Sequence, residues 1–338
     1  MVAHMSQHEK NCVIITGVSS FVGWHLARFF NREGWEVIGT LSKELPAYAG
    51  LHGERVHGLE SAGIALMKLD ITDAECTSAF IREKGPSLWI HHAGWATNYA
   101  GRDYDLVTAA RINHATLRPI YQALAETGCS AFILTGSGME YSNSDTPHSE
   151  DEICWPDNPY GFSKLGQTIL CRQLSQEFDI RTRVARVFIP FGQGDAPQKL
   201  LSSVARALAS HQSIELTPCE QIRDFLHVHD LCLGYRKLVS DLSRECLFDI
   251  FNLSSGQPVR LRDLLQLLAA VGSWSTELLH FGAVPMRSGE ALVQAGDARK
   301  SAAIMDWRAR DLSEMLRDYI EVRTDLQDKE PHAGGVQL

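Results

Sequence analysis

The sequence predicts an α/β protein with a doubly wound parallel sheet and a smaller C-terminal lobe. Two observations predict this architecture. Over the first half of the chain, five short apolar runs alternate with segments of helical periodicity, which is typical of a parallel sheet covered by helices. After about residue 186, prolines and glycines interrupt this rhythm and shorter mixed elements follow. We therefore expect two domains, at residues 5–185 and 186–328.

The composition is that of a globular protein and argues against several functional classes. The chain has 338 residues, 44% hydrophobic and 22% charged, which is enough to bury a full core. Its net charge of −9 leaves no basic stripe for nucleic acid. No apolar run approaches about 20 residues and nothing resembles a signal peptide, so we expect no membrane partner. The first four residues resemble a cloning remnant, and Met5 is the expected native start.

The cysteines predict a reducing compartment. The 8 cysteines are scattered without a C-x-x-C pair, and none stands at metal-ligand spacing from a pair of histidines. Scattered thiols of this kind are typical of cytosolic proteins. We therefore expect a cytoplasmic protein with reduced cysteines and no metal site.

The first predicted element is a strand at Cys12 to Ile15, which leads into a glycine-containing turn. The turn is Thr16-Gly17-Val18-Ser19-Ser20-Phe21-Val22-Gly23, and helical periodicity follows it as far as Gly34. A strand, a glycine turn and a helix in this order bind dinucleotides, because backbone N–H groups and the helix dipole meet the pyrophosphate. Ser20 replaces the middle glycine of the usual pattern, which places a Cβ close to phosphate. The alternative is an ordinary turn between a strand and a helix.

The second predicted strand, Trp35 to Gly39, bears on the choice of cofactor. Proteins that bind NAD usually carry an acidic residue after this strand, bonded to the ribose 2′-hydroxyl. Here the strand ends in Thr40, Leu41, Ser42 and Lys43, with no carboxylate until Glu44. Hydroxyls and a lysine suit a 2′-phosphate, so we predict NADP(H), with NAD as the alternative. Three side chains are expected near that phosphate: Thr40, Ser42 and Lys43.

The remaining elements of the first domain follow in the order typical of this fold. A polar, glycine-dotted region extends to Gly63. The predicted strands are Ile64 to Leu69, Ser87 to His92 and Ala131 to Leu134, and the predicted helices are Asp73 to Lys84, Asp103 to Thr127 and Pro159 to Glu177. Beyond the first domain, a helix is expected near Lys199 to Ser210.

A serine, a tyrosine and a lysine form the candidate catalytic group. Ser137 stands at the carboxyl end of the fifth predicted strand, while Tyr160 and Lys164 are four residues apart and share one helical face. A cation one turn away stabilises a phenolate and lowers the pKa of the phenol from its usual value near ~10. Tyr160 is the only one of the 8 tyrosines with a lysine four residues later. The alternative is an aromatic–cation pair on a solvated helix face.

Five motifs, in order, resemble the short-chain dehydrogenase/reductase superfamily, and within it the extended branch that modifies nucleotide sugars. They are T-G-x-x-x-F-V-G at 16–23, H-H-A-G at 91–94, P-Y-G-F-S-K at 159–164, R-D-F-L-H-V at 223–228 and R-S-G-E at 287–290. The resemblance extends over nearly the whole chain. It implies a Rossmann-type domain that binds NAD(P) and a lobe that binds a nucleotide-diphosphate sugar.

The resemblance also implies roles for the catalytic group. Tyr160 would be the acid/base, Lys164 its partner and a contact of the cofactor ribose, and Ser137 the hydroxyl that orients the substrate carbonyl. Asn113 matches the asparagine that helps hold the lysine and its proton path. The alternative for Asn113 is a polar side chain bonded to a neighbouring helix.

Further residues are assigned to the two ligands by the same resemblance. Those expected along the cofactor, besides the glycine turn, are Asp70, Ile71, His92, Ala93, Gly94 and Phe188. Asp70 matches the acid that approaches the adenine, although it could equally cap the following helix. Those expected at the substrate are Ser137, Lys199, Arg223, Arg287 and Glu290.

Two arginines of this second set match residues that clamp the substrate diphosphate. A planar guanidinium suits phosphate oxygens, which favours this role for Arg223 and Arg287. The alternatives are ordinary ion pairs, of Arg223 with Asp224 and of Arg287 with Glu290. Ile189 stands where the family usually has an asparagine, which leaves the sugar open.

Among the reactions that share such a site, we predict reduction. Dehydration needs an acidic residue directly after the active-site hydroxyl, whereas Glu140 is the first carboxylate after Ser137. Epimerases typically hold NAD, which the residues after the second strand do not favour. The expected activity is NADPH-dependent reduction of the 4-keto group of a nucleotide-diphosphate 4-keto-6-deoxy sugar. An epimerase with tightly held NAD(P), a 4,6-dehydratase and a non-catalytic dinucleotide sensor remain as alternatives.

A homodimer is also expected, because the family pairs its two long helices across a two-fold axis. We expect five apolar residues on these helices to contribute to the interface, although some of them must face the protomer's own sheet. They are Leu117, Ile120, Leu124, Leu165 and Ile169.

Overall fold

A seven-stranded parallel sheet forms the centre of the protein. The computed structural model describes residues 11–286 and 291–327. The sheet contains β1 (Cys12–Thr16), β2 (Glu36–Leu41), β3 (Ala65–Lys68), β4 (Leu88–His91), β5 (Ala131–Ser137), β6 (Arg181–Val187) and β11 (Phe248–Leu253). Its strand order is β11-β6-β5-β4-β1-β2-β3, and each neighbouring pair is parallel. The order reverses between β1 and β4, the position at which open sheets of this kind bind ligands.

Helices cover both faces of this sheet, as predicted. The helices are α1 (Phe21–Arg32), α2 (Gly50–Ser61), α3 (Ala74–Lys84), α4 (Leu106–Ala109), α5 (Leu117–Glu126), α6 (Pro159–Phe178), α7 (Leu200–Ala209), α8 (Val228–Asp241), α9 (Leu261–Val271), α10 (Arg299–Met305) and α11 (Leu312–Gln327). Successive residues of a strand point to opposite faces. Val13 and Ile15 therefore pack in the layer that includes α1 and α8, whereas Ile14 packs in the layer that includes α3, α5 and α6.

The second half of the chain builds smaller sheets and also returns to the main one. The short strands are β7 (Ile189–Phe191), β8 (Ile214–Leu216), β9 (Ile222–Arg223), β10 (Phe225–His227), β12 (Val259–Arg260), β13 (Leu279–Phe281) and β14 (Val293–Gln294). They form the sheets β10-β7, β12-β9-β14 and β13-β8. Because β11 lies beside β6 in the main sheet, the boundary expected near residue 186 does not separate two continuous domains.

Two helical segments differ from the sequence-based expectation. The glycine-dotted region before Gly63 contains α2, whose glycines weaken the local helical signal but whose buried Val56 and Leu59 pack in the core. The long helix expected at 103–127 is interrupted. It begins at α4, capped by Asp105, passes through a π turn at Ala110–His114 and continues as α5.

Of the five apolar residues expected at a dimer interface, three are buried in the core of the protomer and two reach its surface. Leu117, Ile120 and Leu124 are completely buried against the protomer's own sheet, so they are unavailable to a partner. These three residues form the apolar face of an amphipathic helix, and that face covers the sheet of the same protomer. Ile169 is exposed, and Leu165 is half-buried.

The structure also bears on the cysteines, on membrane spans and on metals. All eight cysteines are free thiols. Within residues 11–286 and 291–327, no helix has the length and apolar character needed to cross a bilayer. The same residues contain no group of three or more His, Cys, Asp or Glu side chains arranged around a metal position.

Candidate active site

The glycine turn between β1 and α1 forms one end of the candidate site. Gly17 has a φ of +72°, and a Cβ there would lie 3.0 Å from the Cα of Ala93, so this position requires glycine. In the described part of the chain, the N–H groups of Phe21 and Val22 at the start of α1 have no acceptor. Free N–H groups at a helix N-terminus bind phosphate oxygens, so the turn fits the pyrophosphate of a dinucleotide.

Ser20 shows how the turn forms without its middle glycine. The Ser20 Oγ accepts a hydrogen bond from the Gly23 amide at 3.1 Å and caps α1. The same oxygen bonds Nε2 of His92 at 2.8 Å, and Nδ1 of His92 bonds the Thr135 hydroxyl at 3.1 Å. Burial lowers the pKa of His92 to about 4, so its imidazole is neutral. The serine hydroxyl is therefore fully engaged by protein groups.

The end of β4 lies directly beside this turn. Oγ1 of Thr16 accepts the amides of His92 at 2.9 Å and Ala93 at 2.8 Å. A Cβ at Gly94 would lie 3.1 Å from Oδ1 of Asn113. His92, Ala93 and Gly94, which were predicted to line the cofactor, are therefore held close to the glycine turn.

The three side chains predicted near a 2′-phosphate differ in their exposure. Ser42 and Lys43 are exposed, and Lys43 forms no ion pair with any described residue. The carboxylate of Glu44 is paired with Lys68 at 2.8 Å. Thr40 is only 2% exposed, and its carbonyl oxygen accepts two amides of the glycine turn. The expectation that the Thr40 side chain meets a phosphate is therefore wrong, because this hydroxyl is buried.

Asp70 is exposed at the carboxyl end of β3, where a cofactor contact was predicted. Its Oδ1 accepts the amide of Thr72 at 3.0 Å and the hydroxyl of Thr72 at 2.7 Å. It does not cap α3, because Asp73 holds that position and accepts the amide of Cys76 at 3.0 Å. The neighbouring Ile71 is buried in the core.

Ser137, Tyr160 and Lys164 come together where β5 ends. Ser137 is the last residue of β5, its hydroxyl accepts the amide of Met139 at 3.1 Å, and it lies close enough to Tyr160 to affect the pKa of that phenol. Tyr160 lies in the first turn of α6, which Asn158 caps. Lys164 lies one turn later, and its buried Nζ donates to the carbonyl oxygen of Thr135 at 2.7 Å. The sequence spacing therefore produces the predicted cluster.

The pKa values of this cluster differ from the expectation. Burial raises the pKa of Tyr160 above its ordinary value, Tyr104 and Glu140 act in the same direction, and the nearby Ser137 hydroxyl opposes them. Burial lowers the pKa of Lys164 to about 8. The predicted lowering of the Tyr160 pKa is not found, because desolvation of the phenolate dominates.

A glutamine that the sequence analysis did not identify holds Lys164, the candidate catalytic lysine. Oε1 of Gln167 accepts a hydrogen bond from Nζ of Lys164, and Nε2 of Gln167 donates to the carbonyl oxygen of Asn113 at 2.9 Å. The Asn113 side chain accepts the amide of Trp95 at 2.8 Å and donates to the Ser163 hydroxyl at 2.9 Å. Asn113 thus bonds a neighbouring helix with its side chain and reaches Lys164 through Gln167 with its carbonyl.

Aromatic side chains enclose the catalytic tyrosine. The ring centroids of Tyr99 and Tyr104 lie 5.6 Å and 5.7 Å from that of Tyr160, in edge-to-face arrangements. The Tyr104 hydroxyl donates to the Trp95 carbonyl oxygen at 2.6 Å, whereas Tyr99 is about half exposed. Tyr99 and Tyr104 come from the segment between β4 and α4, and the sequence analysis assigned neither of them to the site.

Glu140 is buried and fully bonded within the protein. Its carboxylate accepts the Ser137 amide at 2.9 Å and the Thr168 hydroxyl at 2.8 Å, and it forms an ion pair with Arg186 at 2.9 Å. The Arg186 guanidinium also lies over the ring of Tyr141, 4.5 Å from its centroid. This carboxylate therefore supports the end of β5.

The residues predicted at the substrate are only partly described. Phe188, which was predicted along the cofactor, packs between Gly138 and Gly296, where a Cβ at either glycine would lie within 3.0 Å of the ring. Lys199 pairs with Asp195 at 3.0 Å, and its Nζ lies 5.6 Å from the centroid of the Phe21 ring in the glycine turn.

Arg223 is buried, and its guanidinium donates to the carbonyl oxygens of Ala291 at 2.8 Å and Leu292 at 3.3 Å. Asp224 accepts the amides of Ser255 and Gly256. Two further predicted substrate residues, Arg287 and Glu290, lie outside the described residues.

Arg55 is a second residue near the site that sequence reasoning did not single out. It is buried on α2 and donates to the carbonyl oxygens of Ser19 at 3.1 Å and Gly194 at 2.8 Å. It thereby joins the glycine turn to the segment after β7. No local pattern marks Arg55, because its two acceptors lie 36 and 139 residues away.

Gln167, in contrast, could have been identified from the sequence, since it follows Lys164 by three residues on the same helical face.

Comparisons with known proteins agree with this geometry. A sequence profile of the NAD dependent epimerase/dehydratase family matches residues 13–253. The GDP-6-deoxy-D-mannose reductase of Pseudomonas aeruginosa is 29% identical over 228 residues, 63% of this chain and 74% of that protein. The dTDP-4-dehydro-6-deoxyglucose reductase of Escherichia coli is 29% identical over 153 residues, 44% of this chain and about half (48%) of that protein. The UDP-glucuronate 4-epimerase of Thermodesulfobacterium geofontis is 22% identical over 300 residues, 87% of this chain and 90% of that protein.

Solved structures share the fold over almost the whole chain. The UDP-glucose 4-epimerase of Thermotoga maritima, solved with UDP-glucose, aligns with a TM-score of 0.80 at 19% identity, covering 93% of this chain and 99% of that one. The UDP-glucose 4-epimerase of Stenotrophomonas maltophila, with bound NAD and formylated UDP-arabinopyranose, aligns with a TM-score of 0.80 at 21% identity, covering 95% and 100%. At these identities the similarity establishes the fold.

Proposed function

Because the chain belongs to the NAD dependent epimerase/dehydratase family, we propose that it is an NADPH-dependent reductase. Its substrate would be a nucleotide-diphosphate 4-keto-6-deoxy sugar, reduced at the 4-keto group. The observation that carries this proposal is the cluster of Ser137, Tyr160 and Lys164 beside the glycine turn, with Tyr160 held in its protonated form by burial. A protonated phenol is the form that reduction requires.

The chain's own residues would act on the substrate oxygen. Ser137 would donate a hydrogen bond to the carbonyl oxygen, and Tyr160 would give its proton to that oxygen as negative charge develops. Lys164, with a pKa of about 8, keeps its positive charge at neutral pH and offsets the charge left on the phenolate. A nicotinamide held beside this cluster would supply the hydride for the carbonyl carbon.

The choice of NADPH over NADH rests on the residues after β2. The exposed Ser42 and Lys43 offer a hydroxyl and an unpaired cation to a 2′-phosphate. The nearest carboxylate, Glu44, is neutralised by Lys68. A titration should therefore give a lower Kd for NADPH than for NADH, and tighter binding of NADH would overturn this part of the proposal.

Reduction is favoured over dehydration by the surroundings of Glu140. The carboxylate nearest to the catalytic serine is buried and bonded to Arg186 and Thr168. A dehydratase needs a free acid and base at this position. The two relatives at 29% identity are both reductases of 6-deoxy sugar nucleotides, which supports the same choice.

The test is the stoichiometry of cofactor consumption. The protein is given NADPH with a GDP-linked or dTDP-linked 4-keto-6-deoxy sugar, and absorbance is followed together with the sugar product by mass spectrometry. A reductase consumes one NADPH for each sugar reduced. Turnover of a nucleotide sugar with no net loss of NADPH would contradict the reductase and support the epimerase. A 4-epimerase would use the same three residues, Ser137, Tyr160 and Lys164, for its reaction at C4 of the sugar.

The epimerase is the second candidate, because UDP-sugar 4-epimerases cover most of this chain at lower identity. Incubation with UDP-glucose or UDP-glucuronate and no added cofactor tests it directly. Interconversion of two sugars under those conditions would require NAD(P) that stays bound through purification. A protein that binds NADPH and turns over neither class of sugar would instead be a dinucleotide sensor.

We also propose that the protein acts as a cytoplasmic homodimer. Its eight free thiols suit a reducing compartment. Val107, Phe162 and Ile169 are exposed apolar residues on α4 and α6, the helices expected at a two-fold axis. Exposed apolar residues on neighbouring helices are typical of protein interfaces.

A further inference from the structure

A cavity of about 340 Å³ lies between α1, α8 and α11, away from the catalytic cluster. We call it the α1–α8 cavity. Its wall includes His25, Arg28 and Arg32 from α1, His227 at the start of α8 and Tyr319 from α11. Ligand pockets for small molecules usually measure about 300 to 1,000 Å³, so the volume suits a small metabolite. None of these residues belongs to the machinery proposed above.

The α1–α8 cavity carries two guanidinium groups that lack acidic partners. Arg28 and Arg32 are four residues apart on α1, so they share one face of the helix. Neither lies within 4 Å of a carboxylate among the described residues. The Arg28 guanidinium lies over the ring of Trp24, 4.6 Å from its centroid. Two free guanidinium groups on one face can receive a single phosphate.

The acidic side chains of the cavity each have an arginine partner. Glu33 is paired with Arg236 at 3.1 Å, and Asp318 shares Arg310 with Asp230, at 3.0 Å and 2.8 Å. The unpaired Arg28 and Arg32 therefore leave a local excess of positive charge even though the whole chain is strongly acidic. Such local charge of the opposite sign favours small anions over the surrounding surface.

The histidines of the cavity are neutral side chains. Nε2 of His25 donates to the carbonyl oxygen of Gln193 at 2.8 Å, and His227 is 7% exposed. Burial lowers the pKa of each to about 4, and Asp318 opposes the lowering at His227. The positive charge of the cavity therefore comes from its arginines.

Part of the cavity lining is apolar or aromatic. It consists of Phe29 on α1, next to Arg28, together with Val228, Cys232 and Tyr319. The rings of Phe29 and His229 meet edge to face with their centroids 6.4 Å apart. A planar apolar group fits such a wall, because aromatic rings bury large areas and stack or pack by their edges.

We propose that the α1–α8 cavity is a binding site for a phosphomonoester that carries a planar ring, with the phosphate at Arg28 and Arg32 and the ring against Phe29. Aryl phosphates and nucleoside monophosphates share this chemistry. The site is separate from the glycine turn, which binds phosphate through backbone amides at the other end of α1.

The test uses phenyl phosphate as the probe and the full-length protein saturated with NADPH, so that the cofactor site is filled. Isothermal titration at constant ionic strength compares phenyl phosphate with inorganic phosphate and with benzoate. We expect phenyl phosphate to bind with a Kd about tenfold or more below those of the other two, since both halves of the ligand contribute. Uridine monophosphate, as the second source of the same chemistry, distinguishes nucleoside from simple aryl phosphates.

A pair of matched variants locates the binding. Arg28→Gln/Arg32→Gln should weaken phenyl phosphate binding by about tenfold or more, while Arg82→Gln/Arg206→Gln removes the same charge from α3 and α7 and should leave it unchanged. Arg32 is exposed, so Arg32→Glu alone keeps the test available if the double variant does not fold. The proposal is overturned by absent binding at about 10 mM, by equal binding to the Arg28/Arg32 variant, or by inorganic phosphate binding as tightly as phenyl phosphate.

Discussion

At the scale of single residues, the enclosure of Tyr160 decides how its role is tested. Tyr160→Phe removes the proton donor and keeps the ring that packs against Tyr99 and Tyr104. We expect kcat to fall by about 10²–10⁴ with little change in the Kd for NADPH, because one positioned acid contributes that much. Steady-state kinetics and a fluorescence titration measure the two quantities.

Tyr104→Phe is the matched control for this variant. The hydroxyl of Tyr104 is bonded to the Trp95 carbonyl oxygen, so its loss should change the rate far less. If Tyr160→Phe retained most of the turnover, or if Tyr104→Phe were the more damaging change, the assignment of Tyr160 would be wrong.

Gln167 offers a second test, through the pH dependence of the rate. Burial holds the pKa of Lys164 near 8, and Lys164 loses its proton as the pH rises through that value, so kcat should decline there. Gln167→Glu places a negative charge at the acceptor position and should move this decline to higher pH. Gln167→Leu removes the acceptor and should move it to lower pH. Profiles of kcat from about pH 6 to 10 measure both shifts.

A purely structural role for Gln167 would lower the rate without moving the profile. Opposite shifts of the two variants are therefore the informative result. Thermal melting of both proteins controls for loss of the bond to Asn113. Identical profiles for the wild type and the two variants would exclude Gln167 as a positioning residue for Lys164.

At the scale of elements, the outer face of α4 and α6 predicts the assembly. Val107, Phe162 and Ile169 are 83%, 59% and 61% exposed, which is unusual for large apolar residues. We expect a dimer by light scattering at micromolar concentration and a monomer for Ile169→Glu, because a charge buried in an apolar interface is costly. Ile304→Glu on α10 provides the control, since Ile304 is also exposed but lies on a different helix.

A monomeric wild type would show that this face serves another purpose. An effect of Ile304→Glu equal to that of Ile169→Glu would mean that general solubility, and not the α6 surface, governs association. Both outcomes are read from the same measurement of molar mass.

At the scale of the whole molecule, one buried ion pair connects the sheet to the second half of the chain. Arg183 on β6 is fully buried and bonded to Asp241 at the end of α8. Asp241→Leu leaves the guanidinium without that carboxylate and should lower the free energy of unfolding by about 3–5 kcal/mol. Arg183→Met/Asp241→Leu replaces both charges with apolar groups and should recover most of this loss. Urea denaturation measures both changes, and equal loss in the two variants would argue against the pair.

The parts of the fold that follow from local pattern were predictable. The glycine turn, the first five strands and the spacing of Tyr160 and Lys164 are all encoded within a few residues of one another. Strand β6 is different, because its sequence alternates arginines with small and apolar residues. Arg183 and Arg186 are buried only because Asp241 and Glu140 lie beside them in space, 58 and 46 residues away in the chain. Such distant partners leave no periodic signal.

The site shows the same division between local and distant information. Ser137 and Lys164 were identified by position, and the structure brings them together. The direction of the Tyr160 pKa could not be predicted, because it depends on how completely the surrounding chain excludes water. The buried position of Thr40 likewise depends on how β2 packs against the glycine turn.

The return of β11 to the main sheet limits how this protein can be divided or can move. A fragment that stopped near residue 186 would leave β6 at the open edge of the sheet, with unpaired backbone groups available to other chains. Such a fragment should aggregate, although it would contain the entire glycine turn and the catalytic cluster. The chain also crosses between the main sheet and the smaller sheets more than once, so any movement of the lobe must bend all of these connections together.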